Sequence, residues 1–370
     1  MLHSRHHWLI AVTLLAVLSP PLLADDAPPD VKQAIDDLSS DVFLTREKAS
    51  EKLLAAGAAA IPPLEAAAAR GELETTARAL AVLEQLAVDS KEESVRDAAL
   101  AAAQRLSVSE LPRVAARAEA LVEAIAELRR TQAIAHLVGL GATFSDGPQL
   151  TTTGVLPHLL EIGPTWRGED DDLKVLSAIF DLQAVSLSGD QATDAWVERL
   201  TSAPALTYLK LKKTKVTARG IERLKLCKDL TAIDFLYFPV DDEAIRPLAD
   251  MRQLSAVRLY GTKVSKEGAA KLAFDLPTTK VDVRRGGFLG IGIEPHPLGC
   301  IIVKVEGKSM AARAGLEPGD VILSISGEKP GTFEELTKVI GRFEPGEELA
   351  LQLYRDGERE TLKVKLGEWE

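Results

Sequence analysis

The chain has 370 residues, room for two or three domains. Its content is 46% hydrophobic but only 5% aromatic, which predicts aliphatic, alanine-rich cores. A net charge of −11 argues against a general nucleic-acid binder, because no basic excess exists to displace counterions from phosphates, and against an anionic membrane surface as the main partner.

Residues 1–24 read as a secretion signal. His3, Arg5, His6 and His7 form a basic-capable start, Leu9 to Leu18 an apolar run, and Leu22-Leu23-Ala24 a cleavage site ahead of Asp25-Asp26. The apolar run is shorter than the roughly 20 residues that span a bilayer; an uncleaved anchor is the alternative. The expectation is an exported, periplasmic or secreted protein with no integral membrane segment after signal removal. Residues 25–30 form an acidic, proline-rich linker.

From Val31 to Thr131 the composition favours helices. Thr45 to Leu54 is amphipathic, Gly57 closes it, and Ala58 to Leu64 opens the next helix. Glu72 to Leu86 and Ser94 to Leu106 repeat the theme. This stretch resembles HEAT-type helical hairpins, which stack in pairs around one elongated core.

The middle of the chain has a period. Leu182-Gln183-Ala184-Val185-Ser186-Leu187 recurs from Leu206, Leu230 and Leu254, each start 24 residues after the last. Thr279 to Val283 continues the frame, and His158 to Ile162 and Ala135 to Leu140 look like irregular copies. The pattern resembles leucine-rich repeats, whose length range includes 24, and the repeat domain is placed at 132–285. The usual ladder asparagine is replaced by Asp190, Thr214, Phe238 and Thr262. In a parallel sheet the leucines point inward and the residues between them outward. The outward column Ser186, Lys210, Asp234, Arg258, Asp282 alternates in sign from Lys210 on, so it either compensates itself or meets a partner. Tyr208, Lys212, Leu236 and Tyr260 flank it as a candidate contact patch.

Residues 286–368 are organised differently. Gly287-Phe288-Leu289-Gly290 places glycines around two apolar residues ahead of a strand, Ile291-Gly292-Ile293. Glycine permits positive φ and close approach, and successive amides in such a loop can form a nest for a carboxylate. Gly315 fits a helix cap, Glu317-Pro318-Gly319-Asp320 a turn, Val321 to Ile325 a buried strand and Thr332 to Arg342 a helix. Together these resemble a bacterial PDZ domain of the HtrA-like type. The resemblance implies a groove that takes an extended or C-terminal peptide as an added strand. Phe288, Leu289, Gly290, Ile291, Gly292 and Ile293 would form one wall, and Phe333, Thr337 and Ile340 the other. Only Arg284-Arg285-Gly286-Gly287 lie between the last repeat strand and Phe288, so Arg284 and Arg285 would flank the groove's mouth or serve as a solvated hinge.

No catalytic, cofactor or metal constellation is expected. The histidines outside the first segment, His136, His158 and His296, are scattered, and no His-Glu-x-x-His or Gly-x-Ser-x-Gly occurs. Asp170-Asp171-Asp172 reads as a solvated acidic loop, and Cys227 and Cys300 as buried apolar fillers. The fold class is multidomain α and α/β: helical repeats, a leucine-rich-repeat solenoid and a C-terminal PDZ-like β domain with helices. The functional expectation is a non-enzymatic scaffold, without cofactors, whose partner is a protein or peptide with a hydrophobic C-terminus. The alternative is a regulatory or substrate-recruiting subunit of an extracytoplasmic protease.

Overall fold

The computed structural model describes residues 27–151 and 154–369. The expected secretion segment, residues 1–24, lies outside them. The chain divides into two compact units, one reaching His136 with Ala178–Phe180 added, the other comprising Leu137–Ser177 and Asp181 onward.

The first unit is built from helices α1 (Pro29–Asp37), α2 (Phe43–Ala56), α3 (Ile61–Ala69), α4 (Leu73–Asp89), α5 (Glu93–Ser107) and most of α6 (Pro112–Gly139). α1 starts inside the stretch expected to be linker, because proline's fixed φ suits a first helical turn and its missing N–H would be unpaired there anyway. Gly57, at φ +56°, ends α2. The core is aliphatic: Leu38, Leu53, Leu64 and Leu83 are fully buried, and Ala67, Ala68, Ala99 and Ala102 let the helices approach closely. Two interhelix turns use one device. Ser40 O accepts from Arg46 Nη1, and Ser90 O from Arg96 Nη1, each at 2.7 Å. The expected irregular repeat at Ala135–Leu140 is corrected: Ala135 to Gly139 are the last turns of α6, since no glycine or proline interrupts residues 113–138.

In the second unit, β1 (Thr143–Thr151) and β2 (Gly154–Ile162) form an antiparallel pair. Strands β3 (Ala184–Ser188), β4 (Tyr208–Lys212), β5 (Ala232–Leu236), β6 (Ala256–Tyr260) and β7 (Lys280–Arg284) then add in parallel, in sequence order. Leu187, Leu211, Phe235, Leu259 and Val283 stand side by side, so the 24-residue spacing sets the register. Helices α7 (Asp194–Leu200), α8 (Ala218–Arg223) and α9 (Lys266–Asp275) return the chain in three of the repeats. After each of β3 to β6 the backbone turns through a left-handed residue: Gly189, Lys213, Tyr237 and Gly261, with φ of 98°, 52°, 56° and 61°. Each donates its N–H to the next strand's last carbonyl: Lys212, Leu236, Tyr260 and Arg284. Phe238, at the third ladder position, is buried edge-on against Phe235 with ring centroids 5.4 Å apart.

One expectation about the sheet needs correction. Tyr208, Leu236 and Tyr260 are 5%, 1% and 4% exposed, so they are no open contact patch. Tyr208 lies between Ala184 and Ala232, whose small side chains leave it room to lie down, and its hydroxyl donates to Asp234 Oδ2 at 2.7 Å. Asp234 Oδ2 also accepts from Arg258 at 3.0 Å, as the alternating column suggests, but Asp282 accepts from Tyr260 (2.6 Å) and Arg284 instead. The acidic run 170–172 forms a 3-10 turn in which Asp170 and Asp171 are exposed, with its carboxylates taken separately. Asp170 accepts from Trp196 Nε1 at 2.7 Å, Asp171 from Arg199 at 2.8 Å, and Asp172 from the Glu169 N–H at 2.7 Å.

The chain then enters an antiparallel sheet of β8 (Ile291–His296), β9 (Gly299–Val305), β10 (Val321–Ile325), β11 (Glu348–Arg355) and β12 (Glu358–Lys365), ordered β12-β11-β10-β9-β8. Helices α10 (Met310–Arg313) and α11 (Phe333–Ile340) cover its core of Leu289, Ile302, Ile322, Ile325, Leu336, Val339, Leu351 and Leu353. The 315–320 turn is tied to β11: both Asp320 oxygens accept from Arg355 at 2.6 Å, and Arg355 also reaches Gly315 O at 2.8 Å.

Candidate peptide-binding site

β8 is an edge strand, paired with β9 on one side only, and α11 packs beside it. An edge strand leaves a row of backbone groups unpaired. Ile291 and Ile293 are half-buried, packed against the core yet still reachable. α11 is opened by Thr332, whose Oγ1 accepts from Glu335 N at 3.2 Å, while Glu335 Oε2 accepts from Gly331 N at 2.7 Å. This reciprocal cap fixes where the helix begins. Phe333, 59% exposed, and Thr337 stand one turn apart on its solvent side. The Thr337 hydroxyl donates to Phe333 O at 2.7 Å, so its one O–H donor is spent within the helix. Ile340, expected beside them, is 6% exposed in the core with Leu336 and Val339. The helical period puts 336, 339 and 340 on one stripe and 333 and 337 on another.

The glycine-flanked loop closes one end. Leu289 and Gly290 are buried, and among the described residues neither amide donates to a backbone carbonyl outside the regular ladders. Their carbonyls are taken, Leu289 O by Ala311 N (3.1 Å) and Gly290 O by Glu306 N (2.9 Å). A loop held by its carbonyls with adjacent amides left over suits an anionic acceptor. Gly290 has φ +84°, and a Cβ there would fall 2.2 Å from Ser309 Cβ, so glycine is required by the fold itself. Gly292 is freer: a Cβ would meet Lys304 Cβ at 3.3 Å.

Phe288 does not face the groove. Its N–H donates to Gly367 O at 2.7 Å and its carbonyl accepts from Gly367 N at 2.8 Å. Its ring lies 4.5 Å from that of Trp369. Trp369 is in turn 6.0 Å from the Tyr260 ring, and the Arg284 guanidinium sits 4.4 Å over the indole. Arg284 is therefore occupied at this junction, while Arg285 donates to Val264 O at 3.1 Å. Lys212, expected on the open patch, ion-pairs with Glu368 at 2.6 Å, and Lys213 joins it. Burial works to raise the Glu368 carboxyl, but the hydrogen bonds from both lysines outweigh it and hold the group below its usual range. The Trp369 backbone N–H donates to the Tyr237 hydroxyl at 2.6 Å, and burial pushes that phenol up to about 12. Sequence reasoning gave no role to Tyr237, Ser309, Glu368 or Trp369. The signal was a tryptophan two residues after Gly367, since so large a ring seldom stays in water without a partner.

Cys227 and Cys300 are both buried and free. Burial pushes the Cys227 thiol up to about 11 and raises that of Cys300, which donates to Pro330 O at 3.2 Å. No group of three or more His, Cys, Asp or Glu side chains suited to a metal occurs among the described residues, nor any helix long and apolar enough to cross a membrane.

Comparison with known proteins agrees with this geometry. Residues 287–366 match the family model described as "PDZ domain". A stretch of 95 residues is 33% identical to a probable periplasmic serine endoprotease DegP-like protein of Halomonas elongata, covering 22% of this chain and 20% of that one. A protein of the same description from Bartonella henselae is 44% identical over 59 residues, 16% of this chain and 12% of its own. Among solved structures, the serine endoprotease from Yersinia pestis shares 25% identity over 23% of this chain and 30% of its own, with a TM-score of 0.21. An HtrA-type protease, AlgW with decapeptide, shares 21% over 29% and 35%, with a TM-score of 0.24. The chain thus spans about a fifth, or less, of the curated relatives it matches. The segment after Gly286 is a PDZ domain, with relatives among proteins described as DegP-like.

Proposed function

We propose that this chain is an exported, non-enzymatic interaction protein whose PDZ domain binds extended or C-terminal peptides ending in a hydrophobic residue. The observation that carries the reading is the free edge of β8, with half-buried Ile291 and Ile293 beside Phe333 and Thr337 of α11. The loop amides of Leu289 and Gly290 lie at its start. A peptide would add as a strand along β8, with its terminal carboxylate at the amides and alternate apolar side chains toward α11. The helical unit is read as HEAT-type, supported by the repeated Ser40–Arg46 and Ser90–Arg96 turns. The parallel sheet is read as leucine-rich repeats, supported by its 24-residue register. Export is supported by the composition of residues 1–24 and by the word periplasmic in the relatives' descriptions. The absence of enzymatic activity is proposed from the sequence, which offers no nucleophile, base and orienting group together.

A second reading, a regulatory or recruiting subunit of an extracytoplasmic protease, is favoured by the relatives being described as endoproteases. The test is a library of C-terminal peptides presented to the full chain. Peptides with hydrophobic last residues bind with dissociation constants on the order of micromolar, about −8 kcal/mol. An absence of binding across the library defeats the first reading; a changed rate of a co-purifying protease promotes the second.

A further inference from the structure

The segment Gly367-Glu368-Trp369 follows β12 and leaves the PDZ sheet for the C-terminal ends of the parallel strands. It contacts side chains from five places: Lys212 at the end of β4, Lys213 just after it, Tyr237 after β5, Tyr260 at the end of β6 and Arg284 at the end of β7. Two of these, Lys213 and Tyr237, occupy left-handed positions that the flanking repeats fill with Gly189 and Gly261. A side chain in that conformation costs free energy, and such residues persist where the surroundings fix them. The Tyr237 ring lies directly over Gly261, where a Cβ would come within 2.3 Å of it. The repeat turns are thus shaped into a seat for residues 368 and 369.

The seat has a consequence at the peptide loop. Gly286 (φ +67°) and Gly287 precede Phe288; both are buried, and the Gly287 N–H donates to Phe343 O at 2.8 Å, so the loop is already tied on its entry side. The strap, residues 367–369, adds a second tie at Phe288 itself. Gly367 binds both main-chain groups of Phe288, and Trp369 packs against its ring, tilted by 51° with centroids 4.5 Å apart. That ring's Cε1 lies 3.2 Å from where a Cβ on Gly290 would sit, beside one of the two available amides.

We infer that Trp369 is a positioning residue for peptide recognition: anchored on the parallel sheet, it holds Phe288 so that the Leu289 and Gly290 amides are set before a ligand arrives. This rests on the peptide-binding reading above. Ordering a loop in advance removes a cost otherwise met on binding, and one aromatic pair is worth about 0.5–1.5 kcal/mol, or about two- to tenfold in affinity.

The test uses the full chain with Trp369→Ala, Trp369→Phe and Phe288→Leu. One measurement is affinity for the tightest C-terminal peptide of the library, labelled with fluorescein. The other is amide hydrogen exchange over residues 286–293 without peptide. Trp369→Ala weakens the peptide about three- to tenfold and speeds loop exchange, while β10 and β11 keep their protection. Trp369→Phe restores both, and Trp369→Ala adds little to Phe288→Leu. Unchanged loop exchange in Trp369→Ala overturns the inference, as does unchanged affinity in a wild type that binds. Faster loop exchange in a chain that binds no peptide instead defeats the peptide-binding reading and leaves the positioning of the loop standing. Loss of protection throughout the sheet in Trp369→Phe as well as Trp369→Ala shows a merely structural residue and also overturns it.

Discussion

Replacing Asp320 with Asn isolates the tie that holds the 315–320 turn to β11. Asp320 is 2% exposed, and its oxygens accept two Arg355 hydrogen bonds of 2.6 Å and one from Glu317 N of 2.9 Å. An amide can keep one acceptor but turns an N–H2 group toward a guanidinium that only donates. Removing one partner of a fully buried pair costs about 3–5 kcal/mol. Arg355 is 23% exposed and can turn partly to water, which lowers the expectation to about 2 kcal/mol, or about thirtyfold in an opening equilibrium. The pH dependence has a definite sign. Burial works to raise the Asp320 carboxyl, but the Arg355 hydrogen bonds outweigh it and hold the group below its usual range. Its contribution is therefore fully present above the unfolded value near ~3.9 and is lost as pH falls through the lower folded value. Hydrogen exchange of β10 and β11, compared between wild type and Asp320→Asn at matched pH, reads this directly. The expected difference is about thirtyfold at pH 7 and shrinks progressively below about pH 4. Equal protection at pH 7, or a gap that widens toward acid, refutes the reasoning.

Three further outcomes follow from positions already described. Gly290→Val lowers the thermal midpoint as well as abolishing peptide binding, because φ +84° and Ser309 oppose any side chain there; a variant that melts like wild type contradicts this. Phe333→Ser, at a 59% exposed ring, changes stability in urea by less than about 0.5 kcal/mol yet weakens hydrophobic peptides in calorimetry; equal affinity removes Phe333 from the groove. Leu209→Ala, at a fully buried site, costs about 2–5 kcal/mol in urea unfolding, and a smaller loss means the repeat core collapses to fill the cavity.

The parts of the fold that were legible in sequence are those governed by local period. Leucines 24 residues apart fix a parallel register, and glycines at 290 and 315 mark positive φ, at +84° and +81°. What stayed hidden depends on neighbours far along the chain. Outward alternation placed Tyr208 and Tyr260 in solvent. Two alanines in adjacent strands and a tryptophan 109 residues beyond Tyr260 decide otherwise. Of the three helix residues expected to line a groove, Phe333 and Thr337 lie on the solvent side of α11, whereas Ile340 belongs to its core stripe. A spacing of three or four residues identifies a helical face but does not say which apolar stripe meets the sheet. The strap's partners were not legible for the same reason as the tyrosines, since neither Glu368 nor Trp369 has a local pattern that betrays them.

The edge strand that makes a peptide site possible is also limited by its own sequence. Gly290 O accepts from Glu306 N on the β9 side. Successive residues of a strand turn their backbone groups to opposite sides, so Ile291 and Ile293 present theirs to the free edge, and so would residue 295. The register shift between β8 and β9 puts its extra residue, Val303, in β9 and leaves the alternation of β8 intact. Position 295 is proline, which has no N–H to give. The edge therefore offers two donors beyond the loop and then stops. A ladder that short can hold the last few residues of a peptide, with the loop amides receiving its terminus. It gives poor purchase to a long strand from another chain, and proline at an edge is one of the devices by which open sheets avoid pairing with each other. The same three residues, Ile291, Ile293 and Pro295, thus define both what the proposed groove accepts and how far along the strand that acceptance reaches.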